Sequence, residues 1–223
     1  MLPRYSLCDD WFRAGYTTSG VYTITFNGKQ RKVYCAMSNV ASLGWTVIQR
    51  RVDGSVDFNR NWNDYKNGFG DVEGDYWFGN DDIHALTSMP GSTMMVWFQF
   101  KDFSGDIKNV VYRGFRVEDE QNKYKLHTGV FDSANGGISA GFITSHDQQF
   151  FSTPDMDNDI QNAVHCASRY KSGFWFSNCF SINPNGPYYA SQDLCVADKG
   201  IHWLDWKPKT VCLKTFRMAV RKV

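Results

Sequence analysis

The chain has 223 residues, with 24 Lys plus Arg against 23 Asp plus Glu, for a net charge of +1. Hydrophobic residues make up 42 % and aromatics 16 %, a composition that excludes disorder and low complexity. No basic run exceeds Arg50–Arg51, which argues against a nucleic-acid surface, and Met94 to Phe98 is far short of the roughly 20 apolar residues that span a bilayer.

Met1 to Tyr5 lacks the apolar core of a signal peptide, so the chain reads as an excised mature domain with a start methionine. Val21 to Phe26, Asn27-Gly28 and Lys32 to Cys35 predict a hairpin closed by an Asn-Gly turn, and Trp45 to Arg50 a further strand. Phe58, Trp62, Tyr65 and Phe69 share one helical face, with Asp57 as N-cap and Gly68 near the C-terminus. Such an aromatic stripe is read as core. Asp81 and Asp82 are read as first-turn acids of a short helix through Ile83-His84-Ala85-Leu86, a role that leaves no need for catalytic carboxylates there. Met94 to Phe100, Tyr112 to Val117 and Tyr124 to Val130 are expected strands. So is the C-terminal segment, where Phe216, Met218 and Val220 alternate with Arg217 and Arg221.

Between about 131 and 212 this regularity gives way to Asn, Gly, Ser, Asp and Pro, and four of the six cysteines lie there. Loops this long need a covalent or ionic anchor and tend to be functional. Cys8, Cys35, Cys166, Cys179, Cys195 and Cys212 are even in number, widely spaced and free of C-x-x-C pairs. They read as disulfides of an extracellular protein; the residues alone leave open six buried thiols in a reducing compartment.

Asp155-Met156-Asp157-Asn158-Asp159 sets three carboxylates at alternate positions, a source of the converging oxygens that a hard cation such as calcium takes. Ile160 and Cys166 stand where an EF-hand needs Gly and Glu, so the choice is between a different calcium loop and a solvated acidic loop. Gly137-Ile138-Ser139-Ala140-Gly141 spells a nucleophile elbow. That motif requires a strand before it and a helix after it, and both flanks read as loop. The five histidines show no paired metal spacing, which argues against a zinc enzyme.

Gly44 to Ser55, Asn80-Asp81-Asp82-Ile83-His84, Phe151-Ser152-Thr153 with the acidic run, Asn178-Cys179, and Asn185-Gly186-Pro187-Tyr188-Tyr189 together resemble the fibrinogen-like domain of fibrinogen chains, ficolins, tachylectins, tenascins and angiopoietins. The resemblance covers essentially the whole chain. It implies a single α+β domain: an N-terminal part over about 1–43 with a small sheet, a central mixed or antiparallel sheet with short helices over 44–130 plus 213–223, and a loop-rich binding part over 131–212.

The resemblance further implies a structural calcium ion on the carboxylates of Asp157 and Asp159 and the carbonyls of Gln161 and Ala163, the stretch to Cys166 being one residue longer than usual. It pairs Cys8 with Cys35 and Cys166 with Cys179, leaving Cys195 and Cys212 to each other. In lectin relatives a pocket beside the calcium loop takes the acetyl group of N-acetylated sugars, with a cis peptide before the second cysteine, here Asn178–Cys179. Tyr170 matches a pocket tyrosine, Phe180 replaces the usual histidine, and Val196 and Lys209 fall where two further aromatics would stand.

The leading expectation is a secreted, non-catalytic recognition lectin of innate-immune type, binding acetylated or anionic microbial glycans at Tyr170, Asn178, Cys179, Phe180, Val196 and Lys209. The alternative is an extracellular module of angiopoietin or tenascin type that binds a receptor or matrix protein. Assembly into oligomers would rest on regions outside this segment.

Overall fold

Along Leu213–Lys222, Phe216, Met218 and Val220 are buried on one face while Arg217 and Arg221 stay half-exposed on the other. That period-two pattern repeats on neighbouring strands and builds the main sheet. The computed structural model describes residues 5–38, 43–133 and 141–223. In chain order the elements are α1 (Cys8–Arg13), β1 (Gly20–Phe26), β2 (Lys29–Ser38), β3 (Leu43–Arg51), α2 (Trp62–Asn67), β4 (Phe69–Gly70), β5 (Tyr76–Trp77), α3 (Asn80–Thr87), β6 (Met94–Asp102), β7 (Ile107–Arg113), β8 (Arg116–Val117), β9 (Leu126–His127), β10 (Val130–Phe131), α4 (Gly141–His146), α5 (Cys166–Tyr170), β11 (Ile182–Asn183), β12 (His202–Trp203) and β13 (Leu213–Lys222).

The main sheet runs β1-β2-β3-β13-β6-β7-β10, with β4 and β5 beside β3, and its pairs are antiparallel. The N-terminal hairpin is therefore not a sheet of its own. Cys35 to Ser38 pair with Leu43 to Thr46 and carry the ladder into the centre. The Asn27-Gly28 turn forms as expected, with both residues at positive φ.

One sheet face carries the core. Trp77, Trp175 and Trp203 are fully buried there, and Phe151 packs between Trp77 and Trp175. The opposite face holds a smaller cluster of Ala36, Trp45, Val47, Met95, Val111 and Ala219.

Several local expectations are corrected. The aromatic helix begins at Trp62, capped by the Asn61 side chain, which accepts from the Asp64 N–H at 2.8 Å. Asp57 instead accepts from the Asn59 N–H, forming an Asx turn one step upstream. Gly68 ends this helix at φ 88°, where a Cβ would lie 2.6 Å from the Phe78 carbonyl. The 112–117 strand breaks at Gly114, so that β8 leaves the main sheet and pairs with β9. The 124–130 strand is split because Tyr124 and Gly129 both take positive φ. A helix, α4, does follow the G-x-S-x-G motif, drawn in by Phe142 packing on Phe98 and Tyr112. Residues 1–4 and Gly137 to Ala140, Ser139 included, lie outside the described residues. The short helix at Asp81 and Asp82 forms with both acids in its first turn.

A bulge at Met218/Ala219 gives β3 one extra residue, Ile48, opposite β13. Ile48 and Gln49 consequently both face the core, and the alternation beyond them is inverted. Arg51, which unbroken alternation would place beside Trp45 and Val47, enters the core, 1 % exposed. There its Nη1 donates to the carbonyls of Pro184 (3.2 Å) and Gly186 (2.8 Å), and its guanidinium lies 3.9 Å from the Phe58 ring centroid. Asp75, fully buried at 3.7 Å from Arg51, accepts from the N–H groups of Val52, Asp53 and Gly54. Removing one partner of a buried pair strands the other's charge, at about 3–5 kcal/mol. Arg51→Met is expected to lower the unfolding free energy by that amount in urea denaturation; a loss under about 1 kcal/mol would show the pair to be dispensable.

Candidate functional site

The long C-terminal stretch is organised from Phe151 onward. Ser152 exchanges backbone hydrogen bonds with Phe174, and its hydroxyl accepts from the Asn158 N–H at 3.0 Å. Within this turn the three acids separate by role. Asp155 accepts from the Trp62 N–H (2.9 Å) and the Thr153 hydroxyl (2.7 Å), so it caps α2 and ties the loop to the central part.

Asp157 and Asp159 instead converge. Asp159 Oδ1 accepts from the Gln161 N–H and Oδ2 from the Cys166 N–H, each at 2.9 Å. Burial, and then the Asp157 charge, push the Asp159 carboxyl above its ordinary range, opposed by those two N–H groups. The basic side chain near Asp157 is the His165 imidazole, with Nε2 4.0 Å away. Two facing carboxylates without an Arg or Lys partner are the donor chemistry of a hard cation, and no hydrogen bond among the described residues ends on the Gln161 or Ala163 carbonyls. The fit rests on these four oxygen sources, since no cluster of three or more His, Cys, Asp or Glu side chains gathers as a metal centre among the described residues.

The loop is wired to an adjacent cleft. Gln161 Nε2 donates to Asn178 Oδ1, and its Oε1 accepts from the Ala163 N–H at 3.1 Å. Cys166, the first residue of α5, is bonded to Cys179; the other disulfides are Cys8–Cys35 and Cys195–Cys212. A cleft of about 310 Å³ opens beside this disulfide, lined by Gln161, Val164, Arg169, Tyr170, Asn178, Cys179, Phe180, Asp198 and Leu204. Tyr170 and Phe180 meet edge to face at 4.8 Å, and Phe180 stacks on His202 at 6.3 Å. The Tyr170 hydroxyl donates to Asp198 at 3.3 Å; burial and the Asp198 charge raise its pKa, keeping the hydroxyl protonated. Lys199 Nζ sits 4.9 Å from the Tyr170 ring centroid and donates to the Arg169 carbonyl at 3.2 Å.

Tyr170, Asn178, Cys179 and Phe180 are thus brought together, but Val196 and Lys209 do not line the cleft. Both side chains are exposed. Their carbonyls accept from the Lys199 N–H (3.0 Å) and the Asp198 N–H (2.8 Å) respectively, so they build the turn that presents Asp198. Asp198 holds φ 68°, a conformation that Asp tolerates. The peptide bonds of the described residues are trans, Asn178–Cys179 included, the form that a non-proline bond favours by about 3–4 kcal/mol. Sequence reasoning missed Val164, Arg169, Asp198 and Leu204. No motif marks them: Arg169 comes with α5 beside Tyr170, Leu204 is held by its N–H on the Ser181 carbonyl, and the Asp198 turn is fixed by the Lys209 carbonyl and the 195–212 disulfide.

A family model described as the C-terminal globular domain of fibrinogen beta and gamma chains matches residues 4–223. The chain belongs to this fibrinogen C-terminal family. Human fibrinogen-like protein 1 is 38 % identical over 230 residues, covering 98 % of the chain and 72 % of that protein. Human fibroleukin is 39 % identical over 205 residues (91 % and 46 %), and rat angiopoietin-2 38 % over 216 residues (96 % and 42 %). The chain therefore spans less than half of the latter two proteins. Among solved structures, the fibrinogen-like globe domain of human ANGPTL6 superposes with TM-score 0.91 at 30 % identity, covering 100 % of the chain and 97 % of the globe. Lamprey fibrin D-dimer, complexed with the peptide ligand Gly-His-Arg-Pro-amide, gives TM-score 0.86 at 29 % identity, covering 96 % and 72 %.

In this fibrinogen-like domain a buried histidine supports the cleft from below. His146 Nδ1 donates to the Trp175 carbonyl at 2.7 Å, and Nε2 accepts from the N–H groups of Ser181 and Ile182, each at 3.2 Å, just after Phe180. Burial lowers its pKa from 6.5 to about 4. Between those pH values the unfolded chain binds a proton that the folded chain refuses, so stability falls as pH drops through the window, by up to about 3 kcal/mol. Unfolding midpoints measured from pH 7 to 4.5 should show this fall, and His146→Gln should flatten it. Equal slopes for both proteins would remove His146 as its source.

Proposed function

We propose that the chain is an extracellular, non-catalytic recognition module whose C-terminal cleft takes a segment of a protein partner. Three disulfides support the oxidising compartment. The carrying observation is Asp198 beside the Tyr170–Phe180 floor, with Arg169 and Asn178 on the same walls. An aromatic floor with a carboxylate, a guanidinium and an amide matches a polypeptide segment, which brings apolar groups, cations, N–H donors and carbonyl acceptors together. Asp198 receives the partner's cation, an amino terminus or a basic side chain. The peptide seated on lamprey fibrin and the similarity to angiopoietin-2 favour this reading over the lectin one. Lys209, the charge expected to draw anionic glycans, lies off the cleft.

Selection from a library of peptides with free amino termini, with Gly-His-Arg-Pro-amide as a defined member, should enrich basic sequences. Asp198→Asn should weaken the selected peptides at least tenfold, and Tyr170→Ala should weaken them as well. Binding of N-acetylglucosamine on a glycan array, with no peptide enriched, would restore the lectin reading.

The acidic loop takes calcium in this proposal, held by the Asp157 and Asp159 carboxylates and the Gln161 and Ala163 carbonyls. The ion's charge offsets carboxylate repulsion and fixes the loop that Gln161 and Cys166 connect to the cleft. Calcium at 100 times its dissociation constant adds about 2.7 kcal/mol, or roughly 5–10 °C in Tm for a chain of this size. Asp159→Asn should abolish that rise. A melting curve unchanged between calcium and EDTA would remove the ion from the proposal.

A further inference from the structure

A cavity of about 640 Å³ lies away from this cleft, on the outer face of the main sheet. Its floor is Trp45, Met95, Trp97 and Val111, from the smaller apolar cluster. Over that floor stand arginines from separate parts of the chain. The Arg217 guanidinium lies 5.7 Å from the Trp97 ring centroid and 6.0 Å from that of Tyr34. Arg221 lies 5.7 Å from Trp45, and Arg50 lies 4.3 Å from Tyr34.

Arg113, also on this face, pairs with Asp132 at 2.8 Å. Arg50, Arg217 and Arg221 form no ion pair among the described residues; Arg50 and Arg221 donate to the backbone carbonyls of Glu73 and Lys222. Arg217 is the extreme case. Its Nε is buried without a hydrogen-bond partner, and burial together with the Arg50 charge disfavours its protonated form. A half-buried guanidinium beside a second cation, with no carboxylate paired to it, is the arrangement that an external anion completes through the exposed part of the group.

The rest of the face narrows the choice of anion. Arginine donates only, and Arg217 and Arg221 are four residues apart on β13, roughly 13 Å, so their ligand repeats its charges along a chain. Half-buried Tyr34 and Trp97 offer rings between them, on which the C–H faces of sugars stack. β3, β13, β6 and β7 are paired on both sides, so this face has no free strand edge to satisfy the backbone of an extended acidic peptide. A sulfated sugar chain needs acceptor sites for its sulfates and flat apolar contact for its rings, and both are here. We propose that the outer face of the main sheet binds a sulfated polysaccharide, with sulfates on Arg217 and Arg221 and sugar rings over Tyr34 and Trp97. This site is independent of the cleft and of its ligand.

The test uses a heparin hexasaccharide with the purified chain, by calorimetry at physiological salt and by elution from immobilised heparin. The hexasaccharide should bind, raise Tm and weaken with added salt. Arg217→Gln/Arg221→Gln should weaken it at least tenfold, whereas the charge-matched control Lys123→Gln/Lys171→Gln, both exposed elsewhere, should not change it. Should the double variant fail to fold, Arg221→Gln alone should still elute at lower salt and lose most of the Tm rise. Desulfated heparin and inorganic sulfate should each fail to compete. Equal weakening by the control pair, full binding by the arginine variants, or no binding by the unmodified chain would overturn the site. Undiminished binding of desulfated heparin would overturn the sulfate assignment and point to a carboxylate ligand such as an acidic peptide.

Discussion

Arg51 is where the sheet and the loop-rich C-terminal part become one body. A guanidinium taken out of water must find acceptors for its donors and a counter-charge for its ion, or the burial is prohibitive. The chain supplies both from distant segments: the Pro184 and Gly186 carbonyls from the C-terminal part, and Asp75 from beside β5. Each solution constrains a loop. Asp75 gathers three successive N–H groups after β3, and Gln49, freed to face inward by the same bulge, donates to Pro184 and Asn185 at 3.1 Å. The Tyr188 hydroxyl closes the arrangement by donating to the Val52 carbonyl at 3.0 Å.

That hub explains why the C-terminal stretch keeps a defined shape with so little regular secondary structure. Its backbone is held by side chains and covalent bonds in place of ladders: Arg51 and Gln49 at 184–186, His146 at 181–182, Asp159 at Cys166, and two disulfides around the cleft. Loops fixed in this way can present polar groups at set distances without a helix or strand beneath them. The cleft and the acidic loop are therefore neighbours by wiring as well as by proximity, since the Gln161 amide spans both. The Asp159 carboxylate and the Asn178 amide are both hydrogen-bonded to one residue, Gln161.

The two sheet faces show one rule with opposite outcomes. Inside, the buried Arg51 has the carboxylate of Asp75 and the carbonyls of Pro184 and Gly186 around it, although its Nε keeps no hydrogen-bond partner. Outside, Arg217 and its neighbours are stacked on rings that shield them from water without neutralising them. The difference between the faces is the counter-charge: Arg51 has Asp75, whereas Arg50, Arg217 and Arg221 have no carboxylate partner among the described residues.

The sequence alone determined what depends on short-range periodicity and chemistry. The Asn-Gly hairpin, the burial of Phe58, Trp62 and Tyr65, the first-turn acids of α3 and the alternating C-terminal strand all read directly, because neighbours in the chain decide them, whereas the helix expected through Phe58 starts only at Trp62. The blocks that carry the family resemblance read as well, although not the reason for them: Gly44 to Ser55 and Asn185 to Tyr189 are the two sides of the Arg51 hub. Other features were settled by partners remote in sequence. The Ile48 bulge inverted the facing of Arg50 and Arg51, positive φ at Gly114 and Gly129 cut two expected strands short, and Asp155 was drawn off to cap α2. Asp198, and not Lys209, reached the cleft because a disulfide and one backbone bond folded that turn inward. The cationic outer face was invisible for the same reason. Its arginines at 50, 113, 217 and 221 form no run along the chain, and only the β3-β13-β6-β7 order brings them onto one surface. Local pattern is fixed by residues within a few positions, whereas a site assembled across strands and loops exists only once long-range pairing has selected its neighbours.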